Sequence, residues 1–208
     1  MSPTSGATGT PDLPGDPSGR AAGAVRVGID GPVTADTREL ARLVLAEAAR
    51  GGTATVAVHA EDFLRARSLR LEYGVDGEAY LLRWYDHAAL SREVLQPLGP
   101  GGSRRYLPRL RDPATDRPYR DRAVEVAPGT VAVVDGRFLS RWELSGDLDV
   151  HVLLDVSPAA RARRLPQAER EPVGQAWQDY LDACDPASRA QLVVRFDHPD
   201  RPALLRST

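Results

Sequence analysis

Apolar positions along the chain recur with two periods, and the alternation between them predicts the elements. Residues 25–29 read Val-Arg-Val-Gly-Ile, a short strand that ends in a turn at Asp30-Gly31-Pro32. From residue 37 the spacing becomes helical. Leu40, Leu43 and Val44 form an apolar face with a polar return at Glu47, which predicts a helix over 37–50 stopped by Gly51-Gly52. Residues 53–60 (TATVAVHA) are a β-branched run and predict a second strand. A strand, a helix of about four turns and another strand make a βαβ unit, so a parallel sheet is expected.

Beyond residue 60 the pattern is less regular. A helix is expected over 86–96 and a loop over the Pro- and Gly-rich stretch 97–102. Residues 104–122 are dense in Arg, Asp, Pro and Tyr and show little periodicity. Further strands are expected at 130–134, 148–156 and 191–196, with helices at 158–164 and 174–184. Near-continuous apolar strands alternating with helices point to an α/β fold whose mainly parallel sheet is covered on both faces. Residues 1–22 have almost no large apolar side chains and are expected to be a disordered tail. A single domain is expected over 23–208.

Composition narrows the function classes. Net charge is -2, which does not suit a general polyanion binder. One cysteine, Cys184, excludes an internal disulfide and fits a reducing, cytoplasmic setting. No apolar run suits a membrane span, and the N-terminus does not read as a secretory signal. The chain contains no lysine: all 27 basic residues are arginine. No Schiff-base lysine and no phosphate-binding lysine exists here, whatever the fold.

In open α/β sheets ligands bind beyond the carboxyl ends of the strands. The first such turn reads Gly28-Ile29-Asp30-Gly31-Pro32, then Val33-Thr34-Ala35-Asp36-Thr37-Arg38-Glu39-Leu40. His59-Ala60-Glu61-Asp62-Phe63 follows the second strand. Tyr85-Asp86-His87-Ala88-Ala89-Leu90 and Pro97-Leu98-Gly99-Pro100-Gly101-Gly102 come next, then Val133-Val134-Asp135-Gly136-Arg137-Phe138-Leu139, and finally Asp185-Pro186 with residues 190–194. In this order and spacing the segments resemble the uridine kinase family of P-loop kinases, over roughly residues 25–204. The resemblance implies a three-layer P-loop kinase fold with a small lid at about 160–173. It also implies transfer of phosphate from ATP or GTP, with Mg²⁺, to a hydroxyl of a nucleoside or similar small molecule.

One place departs from that pattern. A phosphate loop needs G-x-x-x-x-G-K-[ST], so that backbone N–H groups and a lysine face the phosphates and a hydroxyl faces Mg²⁺. Gly31 keeps the first glycine. Asp36 stands at the second glycine, Thr37 at the lysine and Arg38 at the hydroxyl. Asp36-Thr37-Arg38-Glu39 reads instead as a capping box, whose N-cap carboxylate would take the amides that otherwise bind phosphate. Two anions about 4 Å apart at an effective dielectric near 20 repel by roughly 4 kcal/mol. Two outcomes are therefore open: a phosphotransferase, or a silent pseudokinase that keeps the cleft and binds a nucleoside-like ligand or a partner.

By the same resemblance Asp62 is the catalytic carboxylate and Asp135 supports Mg²⁺ indirectly; as bare sequence they are a loop Asp and an Asp-Gly turn. Tyr80, Asp86, Tyr106, Arg109, Asp112 and Arg137 lie on the substrate side, or alternatively form a surface with its own ion pairs. Arg161, Arg164 and Arg170 fall in the lid, as phosphate ligands or as a solvated helix face. The arginines of 104–122 alternate with Asp112, Asp116 and Asp121, so nucleic acid is not expected. His59, His87, His151 and His198 have no metal-ligand spacing.

Overall fold

The computed structural model describes residues 23–144, 146–169, 172–198 and 201–206. The expected tail, 1–22, lies outside them, as does Arg170. In chain order the elements begin with β1 (Val25–Asp30), α1 (Thr37–Arg50), β2 (Thr55–His59) and a 3₁₀ turn (Ala60–Phe63). Next come α2 (Arg67–Tyr73), α3 (Gly77–Arg83) and α4 (His87–Leu90), which runs through a π turn (Ser91–Leu95) into α5 (Gln96–Leu98). A small antiparallel pair, β3 (Arg105–Tyr106) and β4 (Val124–Glu125), precedes β5 (Val131–Gly136) and β6 (Val150–Asp155). The chain then forms α6 (Pro158–Arg164), α7 (Pro172–Cys184), α8 (Pro186–Arg189), β7 (Leu192–Arg195) and β8 (Ala203–Arg206).

Six strands form one sheet in the order β2-β5-β1-β6-β7-β8, parallel throughout except for the β7–β8 pair. Strand side chains alternate between faces with period two. Val131 and Val133 of β5 accordingly join a cluster with Ile29, Val152, Leu154 and Ala41 of α1. Ala132 and Val134 join a larger cluster with Phe63, Leu90, Phe138, Trp177 and Tyr180. Each fully buried side chain of this size contributes about 1.5–3 kcal/mol. Both faces are thus covered, which is why the strands read as continuous apolar runs.

Helix α1 occupies the span its periodicity predicts, and so does α6. The segment after residue 86 differs from expectation. The helix does not stop at Pro97 but continues to Leu98. Proline leaves the carbonyl four residues earlier without its partner. That carbonyl, on Glu93, accepts the N–H of Leu107 at 2.9 Å, so the missing bond is replaced by a tertiary one.

β1 lies between β5 and β6, with β2 beyond β5 and β7 beyond β6. The connection leaving β1 runs through α1 to β2, and that leaving β5 runs to β6 on the other side of β1, so the two diverge at these carboxyl ends, the switch point where such sheets bind ligands. Asp30, His59 and Asp135 sit there: His59 stands opposite Asp135, Asp135 opposite Ile29, and Asp30 opposite Gly136. Gly136 closes β5 because a Cβ at this position would stand 2.4 Å from Cβ of Ala60. Among the described residues no helix is long and apolar enough to cross a membrane.

Candidate functional site

The turn between β1 and α1 spends several of its amides within the protein. The Gly31 N–H donates to the Gly136 carbonyl at 3.1 Å, Ala35 N–H to Pro32 O at 2.8 Å, and Thr37 N–H to Ala35 O at 3.0 Å. The Glu39 N–H donates to Asp36 Oδ1 at 2.9 Å, which makes Asp36 the N-cap of α1. Side chains fill what the amides leave. A Cβ on Gly31 would meet Thr37 Cγ2 at 2.9 Å, Leu154 Cβ at 3.1 Å and Ala35 Cβ at 3.3 Å. The reciprocal half of the expected capping box does not form. Glu39 turns outward to Arg42, with both contacts at 2.7 Å. Two opposed i,i+3 side chains on an exposed helix face satisfy each other there. As folded, the Gly31, Ala35, Thr37 and Glu39 amides are engaged within the protein and the Thr37 methyl group packs toward Gly31, which leaves those four donors unavailable to a phosphate.

Beside α1 lies an open cleft of about 440 Å³, lined by Arg38, His59, Asp62, Arg109, Asp112 and Tyr119. Asp62 sits on the 3₁₀ turn that follows β2 and is 7% exposed. Its backbone carbonyl accepts the N–H groups of Leu110 and Arg111, at 3.1 and 2.9 Å, so the 108–112 segment forms the far wall. Burial raises the Asp62 carboxyl above its ordinary range, against the opposing charges of His59, Arg38 and Arg109. Arg109 is held twice over. Its Nε and Nη2 donate to Asp121 at 2.8 and 3.2 Å, and its guanidinium lies 3.9 Å from the Tyr119 ring centroid. The Asp112 carboxylate caps its own turn, accepting from Ala114 and Thr115 N–H.

Asp135 is buried at the end of β5, and its Oδ1 lies 2.5 Å from Nδ1 of the partly exposed His59. The carboxylate that the resemblance assigns to magnesium support is thus engaged by an imidazole. Among the described residues no group of three or more His, Cys, Asp or Glu side chains is arranged to hold a metal ion.

A second group of arginines has a different character. Arg137 donates to the hydroxyls of Tyr80 (2.7 Å) and Tyr85 and pairs with Glu61 at 3.4 Å. Arg161 is buried and donates to Val156 O at 2.9 Å and Gln178 Oε1 at 3.1 Å. Together with Tyr80, Trp177 and Thr34 of the turn, these two arginines line a cavity with room for about one water molecule. Arg164 is tied to three carbonyls: Thr34 at 3.1 Å, Phe196 at 3.1 Å and Asp197 at 2.6 Å.

The structure therefore brings Arg38, Asp62, Arg109 and Asp112 together in one cleft. Tyr80, Arg137 and Arg161 gather around another. Asp86 and Tyr106 join neither: Asp86 is the N-cap of α4, accepting from Ala89 N–H at 3.0 Å, and Tyr106 is buried in the larger core cluster. Sequence reasoning missed His59 and Tyr119. A signal for His59 existed, since it ends β2 and Asp135 is the next-to-last residue of β5. Using it required knowing that these two strands are neighbours.

No protein-family model matches the chain, and no curated protein matches it significantly. Solved structures do. A possible uridine kinase from Bacillus stearothermophilus superposes with a TM-score of 0.70 at 24% identity, covering 83% of this chain and 89% of that one. A candidate fructose transport system kinase from Silicibacter sp. TM1040 gives 0.57 at 21% identity, covering 83% and 84%. With a mostly parallel six-stranded sheet flanked by helices on both faces, the chain has the P-loop kinase fold of these neighbours.

Proposed function

We propose that this chain uses the P-loop kinase fold as a binding scaffold. It takes a nucleoside-like or similarly hydroxylated small molecule in the Asp62 cleft and does not hold ATP at the β1–α1 turn. One observation carries this reading. Four amides of the turn are spent within the protein, those of Gly31, Ala35, Thr37 and Glu39, and the Thr37 methyl group stands against Gly31. Phosphate would have to displace a helix cap worth about 1 kcal/mol and come close to the Asp36 carboxylate. The engagement of Asp135 by His59 supports the same reading. Nucleic acid is not the partner we propose, since the basic segment neutralises itself: Arg109 pairs with Asp121, and Arg70 and Arg111 lie near Asp116. Cys184 is a free, half-buried thiol, which suits the cytoplasmic setting expected from the sequence.

A second reading, a working phosphotransferase, is favoured by Asp62 itself. A buried carboxylate at a strand end, with its proton affinity raised, suits a base toward a substrate hydroxyl. Calorimetry with ATP·Mg²⁺ and a panel of nucleosides tests both readings. Nucleoside binding without ATP binding supports the scaffold. ATP turnover abolished by Asp62→Asn supports the enzyme.

A further inference from the structure

Arg38 is the second residue of α1, where the helix presents its positive pole. A cation at this position is unfavourable unless an anion offsets it. The two nearest acids in sequence are committed elsewhere, Asp36 to the Glu39 N–H and Glu39 to Arg42. The exposed Arg38 side chain makes no hydrogen bond or ion pair among the described residues, yet it lines the cleft and its charge favours the ionised form of Asp62. Across the cleft Arg109 is held in place through Nε and Nη2 by Asp121 and over the Tyr119 ring, which leaves Nη1 for a ligand. Of the two acids lining the cleft, Asp112 is occupied by its own turn, so Asp62 alone is left to meet a ligand.

Building on the cleft reading above, we infer that the ligand is an anion, a phosphate monoester of a hydroxylated small molecule, with its phosphate on Arg38 and Arg109 and a hydroxyl on Asp62. Planar guanidinium groups recognise phosphate oxygens through paired N–H donors. The cleft, at about 440 Å³, lies in the size range of small-molecule sites. An uncharged ligand would satisfy Asp62 and leave Arg38 to solvent and to Asp62.

The test is calorimetry with two matched pairs, ribose with ribose 5-phosphate and uridine with uridine 5′-monophosphate, on the parent protein and on Arg38→Gln, Arg109→Gln and Asp62→Asn. Circular dichroism checks that each variant folds. The phosphorylated member of at least one pair is expected to bind about tenfold tighter or better, which is the size of one charge-assisted hydrogen bond. Arg38→Gln should remove most of that preference, and added salt should weaken it. Equal binding within both pairs overturns the inference and leaves the cleft reading standing. A preference that survives both arginine variants overturns it too, because the anion then sits elsewhere. Failure of all four compounds to bind, or binding indifferent to Asp62→Asn, defeats the cleft reading and this inference with it.

Discussion

The Asp36 carboxylate and the backbone N–H of Glu39 lie 2.9 Å apart, and this contact makes Asp36 the N-cap of α1. Asp36→Ala should therefore lower stability by about 1 kcal/mol in urea unfolding. Glu39→Gln should change it by no more than about 0.5 kcal/mol, because Glu39 pairs with Arg42 on an exposed face. Equal losses in the two variants would mean that a reciprocal box forms after all.

Rewriting the turn should open it. In the triple variant Asp36→Gly, Thr37→Lys, Arg38→Thr the cap carboxylate is gone, and the ammonium and hydroxyl of a phosphate loop are introduced. ATP·Mg²⁺ binding should rise by at least about tenfold over the parent, followed by a fluorescent ATP analogue. No gain would place the obstacle elsewhere, with the Asp135–His59 contact as the next candidate.

Arg164 separates a structural from a phosphate-binding role. Arg164→Met keeps the apolar stem but strands the carbonyls of Thr34, Phe196 and Asp197. Stability should fall by roughly 1–3 kcal/mol. Arg163→Met, on the exposed side of α6, should stay within about 0.5 kcal/mol. An Arg164 variant as stable as the parent would mean that the three contacts contribute nothing.

Two buried groups should give opposite pH dependences. Burial raises Asp30 from 3.8 to about 7, although the Tyr180 hydroxyl and Leu139 N–H donate to it. The native state then keeps a proton that the unfolded chain releases, so this group lowers stability as pH rises from about 4 to about 7. His87, stacked on Tyr85, is lowered from 6.5 to about 4 by burial and by the Arg141 charge. The unfolded chain takes up that proton first, so His87 lowers stability as pH falls from 6.5 to about 4. In thermal melts the advantage of Asp30→Asn over the parent should grow with pH across this range. The advantage of His87→Phe should shrink, each by at most about 1.4 kcal/mol per pH unit. Parallel curves would contradict both assignments.

Helix α1 was legible in the sequence because its start, face and stop were each marked by residues of the right type, from Asp36 to Gly51. The strands were legible because both faces of the sheet are covered and the runs are apolar throughout. Helices α2 and α3 were not read. α2 has no buried residue, so no apolar periodicity marks it. β8 was missed for a similar reason: it pairs only with β7, and Leu204 and Leu205 remain exposed. In the site the turn chemistry could be read locally, since a cap is made by residues three apart. The His59–Asp135 contact spans 76 positions and depends on β2 and β5 being adjacent, which no local pattern states. Asp86 and Tyr106 were misleading because a cap and a core tyrosine use the same residue types as a ligand site.

The most direct measurement is isothermal titration of the unmodified protein with ATP·Mg²⁺ and, separately, with nucleosides and their monophosphates. The account predicts no ATP·Mg²⁺ binding in the micromolar range, and binding of at least one hydroxylated compound that Asp62→Asn weakens. Tight ATP·Mg²⁺ binding with turnover that depends on Asp62 would contradict it, because phosphate would then occupy a turn that Asp36 and Thr37 keep closed.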